Sequence, residues 1–165
     1  MISMKDYALQ YRRIIQKLVN ESFPELKNKR IITSIKELKV GSMWASKKLN
    51  YFEIILDPKR NKLNNPEYLI GPFVHELIHF KNYSGIYGWP RCLLENIAFL
   101  FKGRLMAFFE RKTDKETIER GYAMELYQNR IFRFRNSPKE YWQKYSKFYL
   151  SPKEIKSYAE SIGKW

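Results

Sequence analysis

Histidine and cysteine are scarce in this chain: two of the first and one of the second in 165 residues. The lone thiol, Cys92, excludes an internal disulfide. Within Cys92-Leu93-Leu94 it reads as a small buried apolar side chain. No apolar run approaches the ~18 residues that a membrane-spanning helix needs. The opening residues, Met1-Ile2-Ser3-Met4-Lys5-Asp6, lead into an amphipathic pattern without an apolar signal core, which sets the expectation of a cytoplasmic protein. Acids are short as well, 17 Asp and Glu against 31 Lys and Arg, for a net charge of +14. A field of that sign attracts nucleic acid, anionic lipid or acidic peptides, although the basic residues are spread along the whole chain as on a solvated surface. What is present in quantity is core material. With 44% hydrophobic and 16% aromatic residues, global disorder is excluded.

The length suits one domain, 1–165, with an N-terminal helix in 1–30, a core in 31–130 and a helical C-terminal segment in 131–165. Tyr7, Tyr11, Ile14, Ile15, Leu18 and Val19 recur at three- and four-residue steps, which predicts an amphipathic helix over 6–20 that Phe23-Pro24 ends. Residues 30–35 and 51–56 are β-branched and aromatic, as in strands, and 40–45 supply a third. Asn65-Pro66-Glu67 is a helix start, and the helix runs to about Asn82 with a bend or restart at Gly71-Pro72. Residues 83–90 read as a loop. The apolar stretch 91–109, interrupted by Glu95, Lys102, Gly103 and Arg104, reads as two buried helices or a surface-inserting hairpin. A helix over 115–130 follows. Ser137-Pro138-Lys139-Glu140 and Ser151-Pro152-Lys153-Glu154 each spell a capping box with proline at the first helical position. The expected class is α+β.

The two histidines stand four apart, in His75-Glu76-Leu77-Ile78-His79. Chance places the only two histidines of such a chain at that spacing in about 1% of arrangements, and with the glutamate in about 0.1%. Residues four apart share one helix face, so both imidazoles reach a single ion. Zinc suits two imidazoles and a carboxylate, with a fourth position for water. Glu76, one residue round the helix from His75, is placed to take a proton from that water as it attacks a carbonyl carbon. Phe73, Val74, Leu77, Ile78 and Phe80 make the other faces apolar, as a buried active-site helix requires.

No histidine remains for a third ligand, and Gly85 stands where an extended three-histidine motif needs one. Downstream lie Asp114, eight glutamates and Cys92. Glu119 is favoured, because Gly121 and Ala123 beside it permit close approach to the histidine helix. Glu95 competes, since a carboxylate within Leu93-Leu94-Glu95-Asn96-Ile97-Ala98 is costly to bury unless it is paired or metal-bound. Glu116 and Glu125 rank below both.

Two histidines of H-E-x-x-H followed at a distance by a helical glutamate resemble the gluzincin metallopeptidases, most closely the minimal gluzincins and related small zincins. The resemblance spans residues 31–130. Glu119-Arg120-Gly121-Tyr122-Ala123 and Glu95-Asn96-Ile97-Ala98 each approach the family's carboxylate-helix pattern. It implies a small twisted mixed sheet packed on the H-E-x-x-H helix, with strand 51–56 as the edge along the cleft and a peptide substrate added to that edge. It also implies a zinc peptidase with Tyr122 stabilising the oxyanion, and a terminal segment, here the aromatic stretch from Tyr141-Trp142 to Trp165, able to cover the cleft. The competing expectation is a silent or self-blocked zincin that binds nucleic acid through its basic surface. Ile131-Phe132-Arg133-Phe134-Arg135 alternates for stacking and phosphate contact, or as a half-buried strand or amphipathic turn. A third expectation is peripheral membrane contact through 91–109.

Overall fold

A computed structural model describes residues 4–38, 42–61, 66–101, 103–140, 143 and 146–165. Among them the protein is mixed α+β and mostly helical, with six long helices and one three-stranded sheet. Helix α1 (Met4–Ser22) buries Tyr11, Ile15, Leu18 and Val19 from the predicted stripe. Strands β1 (Ile31–Ile35), β2 (Met43–Lys47) and β3 (Phe52–Leu56) form a sheet in the order β1-β3-β2. β1 runs parallel to β3, with Ile31 opposite Phe52, and β2 runs antiparallel to it, with Met43 opposite Leu56.

The sheet corrects the expected edge. Strand 51–56 is central, as its nearly unbroken apolar run and burial require, and β2 is the edge beside the histidine helix. The one charge within β3, Glu53, is tolerated because Ser34 donates to it at 2.5 Å and Lys36 at 3.3 Å. The strand expected at 40–45 lies at Met43–Lys47, and residues 39–41 fall outside the described ones.

Helix α2 (Ile70–Ser84) follows a 3₁₀ turn, Pro66–Leu69; the expected cap Asn65 lies outside the described residues. Gly71-Pro72 falls in the first turn rather than the interior, where a missing N–H costs no hydrogen bond. Gly71 is required by packing. A Cβ there would lie 2.7 Å from the backbone nitrogen of Leu126.

Helices α3 (Gly88–Phe101), α4 (Arg104–Glu119), α5 (Ala123–Asn136) and α6 (Pro152–Ser161) complete the fold. The helix expected over 115–130 is two helices. Gly121, at φ +92°, ends α4 in a Schellman turn, with Tyr122 N–H donating to Thr117 C=O and Gly121 N–H to Ile118 C=O. Ile131–Arg135 belongs to the end of α5 and forms no strand. At Ser151 the capping box is complete, with hydroxyl and Glu154 carboxylate each bonded to the other's backbone N–H. The Ser137 opening leads into residues that are described only in part.

Helix α2 is the hub. It meets α1 and β2 on one side and α3, α4 and α5 on the others. One core joins α1, the sheet and α2; a second joins α4, α5 and α6; a third sets Phe148 against α3 and α4. Among the described residues no helix is long and apolar enough to cross a membrane.

Candidate metal centre

Phe73, Val74, Leu77, Ile78 and Phe80 are all fully buried, and this fixes the rotation of α2 about its axis. His75 and His79 consequently point inward and are each 6% exposed. The remaining walls come from the neighbouring helices. α4 brings Glu110 and Asp114, one turn apart on one face, and α3 brings Glu95.

Each imidazole uses its two nitrogens differently. His75 Nδ1 lies 2.9 Å from Asp114 Oδ1, and His79 Nδ1 lies 2.9 Å from Glu95 Oε2. Both Nδ1 positions therefore carry the donated proton, and both Nε2 atoms face each other across 3.3 Å. Glu110 closes the triangle, with Oε2 3.0 Å from His75 Nε2 and Oε1 3.9 Å from His79 Nε2. In neutral imidazoles this sets two lone pairs and a carboxylate oxygen against one another, an arrangement that needs a proton or a cation between them. Ligands at about 2.0–2.1 Å in tetrahedral array stand about 3.3 Å apart, which matches the separation of the two Nε2 atoms. His75, His79 and Glu110 thus offer three atoms within 4.8 Å of one another, of the types zinc takes.

The supporting carboxylates are themselves held. Asp114 is fully buried and accepts from His75, from Arg130 at both oxygens (2.8 and 2.9 Å), and from the Leu150 N–H at 2.8 Å. Burial disfavours its ionisation, but Arg130 and His75 outweigh that and bring its pKa down to about 2. Glu95 accepts from His79, from the Tyr83 hydroxyl and from Arg91 at 2.9 Å. These bonds likewise overcome burial and hold it at about 2. Burial opposes an imidazolium at His75, yet Asp114 and Glu110 raise its pKa to about 10. His79 is raised in the same way by Glu95 and Glu110, against its own burial. Without an ion, a proton occupies the cluster.

Glu76 lies on the adjacent face. Burial raises its pKa, and His75, His79 and a hydrogen bond from the Ala45 N–H restrain the rise. That N–H is available because of the strand register. Asp57 N–H donates to Ser42 C=O and Lys48 N–H to Tyr51 C=O, so alternate residues of β2 bond β3 while Met43, Ala45 and Lys47 turn their backbone groups outward. Tyr149, in the segment before α6, has its ring centroid 6.0 Å from that of His75. It lines a cleft of about 50 Å³ with Met43, His75, Glu76 and Arg133. Burial, with the nearby charge of Glu110, keeps its hydroxyl protonated.

The geometry brings His75 and His79 together with Glu76 beside them, and leaves Glu119 and Tyr122 elsewhere. Glu119 is exposed and accepts from the Tyr158 hydroxyl at 2.6 Å. It lies nine residues beyond Glu110, about two and a half turns, which places it on the opposite face of α4. The Tyr122 hydroxyl meets Ser22 at the end of α1, at 2.6 Å, and bonds none of the cluster residues among the described contacts. Glu95 takes part through His79 Nδ1 rather than at the Nε2 triangle. Glu116 bonds Lys81 and Arg120. Glu110 and Asp114 stood among the downstream acids, but sequence reasoning singled out neither. Their signal was a pair of carboxylates four apart within the buried stripe Met106, Phe109, Thr113, Thr117 and Ile118. No protein-family model, curated protein or solved structure matches the chain.

Proposed function

We propose that this protein is a zinc-dependent peptidase of zincin-like arrangement, with His75, His79 and Glu110 as the zinc ligands and Glu76 as the general base. The observation that carries the reading is the pair of Nε2 atoms 3.3 Å apart, each imidazole oriented by a buried carboxylate at Nδ1. Carboxylate–histidine pairs of this kind fix tautomer and ring direction in metal sites. Bound there, zinc would supply Lewis acidity and bring the pKa of water toward about 7.

The protein's own groups supply the rest. Glu76, with its pKa raised by burial and its carboxylate steadied by Ala45 N–H, accepts a proton from the attacking water and returns it to the departing amine. An extended peptide aligns along the outward backbone groups of β2, beside Glu76. Tyr149, held protonated beside His75, is the donor to negative charge on the carbonyl oxygen, the role the family resemblance implied for Tyr122. The test is zinc content together with hydrolysis of a peptide library. Wild-type protein retains near-stoichiometric zinc and cleaves, while Glu76→Gln retains zinc and does not. Undiminished cleavage by Glu76→Gln overturns the mechanism.

One observation favours a self-blocked state of the same site. The cleft beside His75 and Glu76 is about 50 Å³, room for a few waters and less than a peptide side chain and backbone fill. The Tyr149 segment must move before substrate enters. Tyr149→Phe, which keeps the ring beside His75 and loses the hydroxyl, then lowers peptide cleavage.

A further inference from the structure

We infer that the outer face of α3 and the start of α4 form a docking surface for an anionic lipid bilayer. Sixteen large apolar side chains are exposed among the described residues, and ten of them fall between Ile86 and Phe108. Leu93, Leu94, Ile97, Leu100 and Phe101 follow one another at helical spacing along a single stripe of α3, with Leu100 76% and Phe101 81% exposed. Where the chain turns back at Gly103, Leu105 and Phe108 of α4 extend it. Isolated exposed leucines are ordinary; a continuous stripe rimmed by polar residues marks a contact surface.

Charge identifies what covers it. Between Ile86 and Phe109 the charged residues are Arg91, Glu95, Lys102 and Arg104. The single acid, Glu95, is turned inward with its side chain 8% exposed, bonded to His79, Tyr83 and Arg91. Among the described residues from Ile86 to Phe109, no outward carboxylate opposes an anionic surface. At its α2-proximal end Trp89 walls a cleft of about 240 Å³ together with Lys29, Arg30, Lys47 and Lys48. Lys47 Nζ sits 4.8 Å from the centre of the Trp89 ring. An apolar stripe ending in an aromatic residue beside a basic cleft matches acyl chains below a phosphodiester headgroup. A second copy of a chain with net charge +14 brings like charge against like and is disfavoured on the same face. With 14 residues, α3 extends about 21 Å, so it lies in the interface rather than crossing it.

The surface is tested by co-sedimentation of the full-length protein with phosphatidylglycerol–phosphatidylcholine vesicles and with phosphatidylcholine vesicles alone, at low and high salt, alongside its mass in solution. Wild-type protein sediments with the anionic vesicles, less so at high salt, and stays in solution with the neutral ones. Leu100→Glu/Phe101→Glu, confined to exposed positions, lowers the bound fraction by roughly tenfold or more with unchanged thermal unfolding. Zinc content is the same in both, so the outcome is independent of the peptidase reading. Equal sedimentation of the variant overturns the proposal, as does wild-type protein that ignores anionic vesicles. A wild-type dimer that the variant converts to monomer assigns the stripe to self-association and overturns it too.

Discussion

Helix α3 presents two faces that invert the usual distribution of side chains in opposite directions. Its inner face puts a carboxylate, Glu95, where apolar side chains are the rule; its outer face puts Leu93, Leu94, Ile97, Leu100 and Phe101 in water. The inward charge is tolerated because His79, Tyr83 and Arg91 satisfy it. The outward leucines have no such compensation within the fold. The contrast separates a buried, internally bonded polar cluster from an exposed apolar stripe, and the two should respond to mutation very unequally.

The largest effect falls on the inner side. Asp114→Ala leaves Arg130 and His75 without their buried partner and is expected to cost about 3–5 kcal/mol, read by chemical or thermal unfolding. Leu100→Ala on the outer face stays within about 0.5 kcal/mol. Comparable losses at the two positions erase the distinction.

Next, Glu110→Gln weakens zinc binding by at least about 100-fold in competition with a chromophoric chelator, more than loss of a supporting carboxylate. If Glu110→Gln binds zinc as wild type does, the ligand set is wrong. Glu95→Gln, which loosens the partner of His79 Nδ1 along with the bonds from Tyr83 and Arg91, weakens it by about 10–100-fold.

A graded effect follows with pH. The folded pKa of His75, about 10, lies above its ordinary 6.5. Its imidazolium therefore stabilises the metal-free protein fully below about pH 6.5, and that contribution fades as pH rises toward 10. Zinc requires the deprotonated ligands, so its contribution weakens as pH falls. Thermal melts with and without zinc should diverge on raising the pH; a constant separation across the range counts against proton–zinc competition. The smallest effect is at Glu119→Gln, which removes one exposed acceptor and shifts stability by under about 1 kcal/mol with zinc affinity unchanged.

The sequence made some of this readable and hid the rest for identifiable reasons. The H-E-x-x-H spacing, the apolar faces of α2 and the Ser151 capping box are local, so residues a few positions apart determine them. The third carboxylate depends on how α4 rotates against α2, which is tertiary. Glu119 looked attractive beside the small Gly121 and Ala123, but Gly121 is small because it ends a helix at positive φ, not because another helix passes. Glu110 and Asp114 were legible only by asking why two acids interrupt the buried stripe of α4. The apolar run of β3 similarly indicated a central strand, and taking it as the edge ignored that signal.

Asp114 touches three parts of the chain that are distant in sequence: the histidine helix, Arg130 of α5 and the Leu150 amide in the segment that carries Tyr149. The charge state of His75 and the seating of that segment consequently draw on the same carboxylate. Such sharing is reciprocal: whatever free energy ion capture lends to holding the segment in place, release of the segment withdraws from ion capture in equal measure.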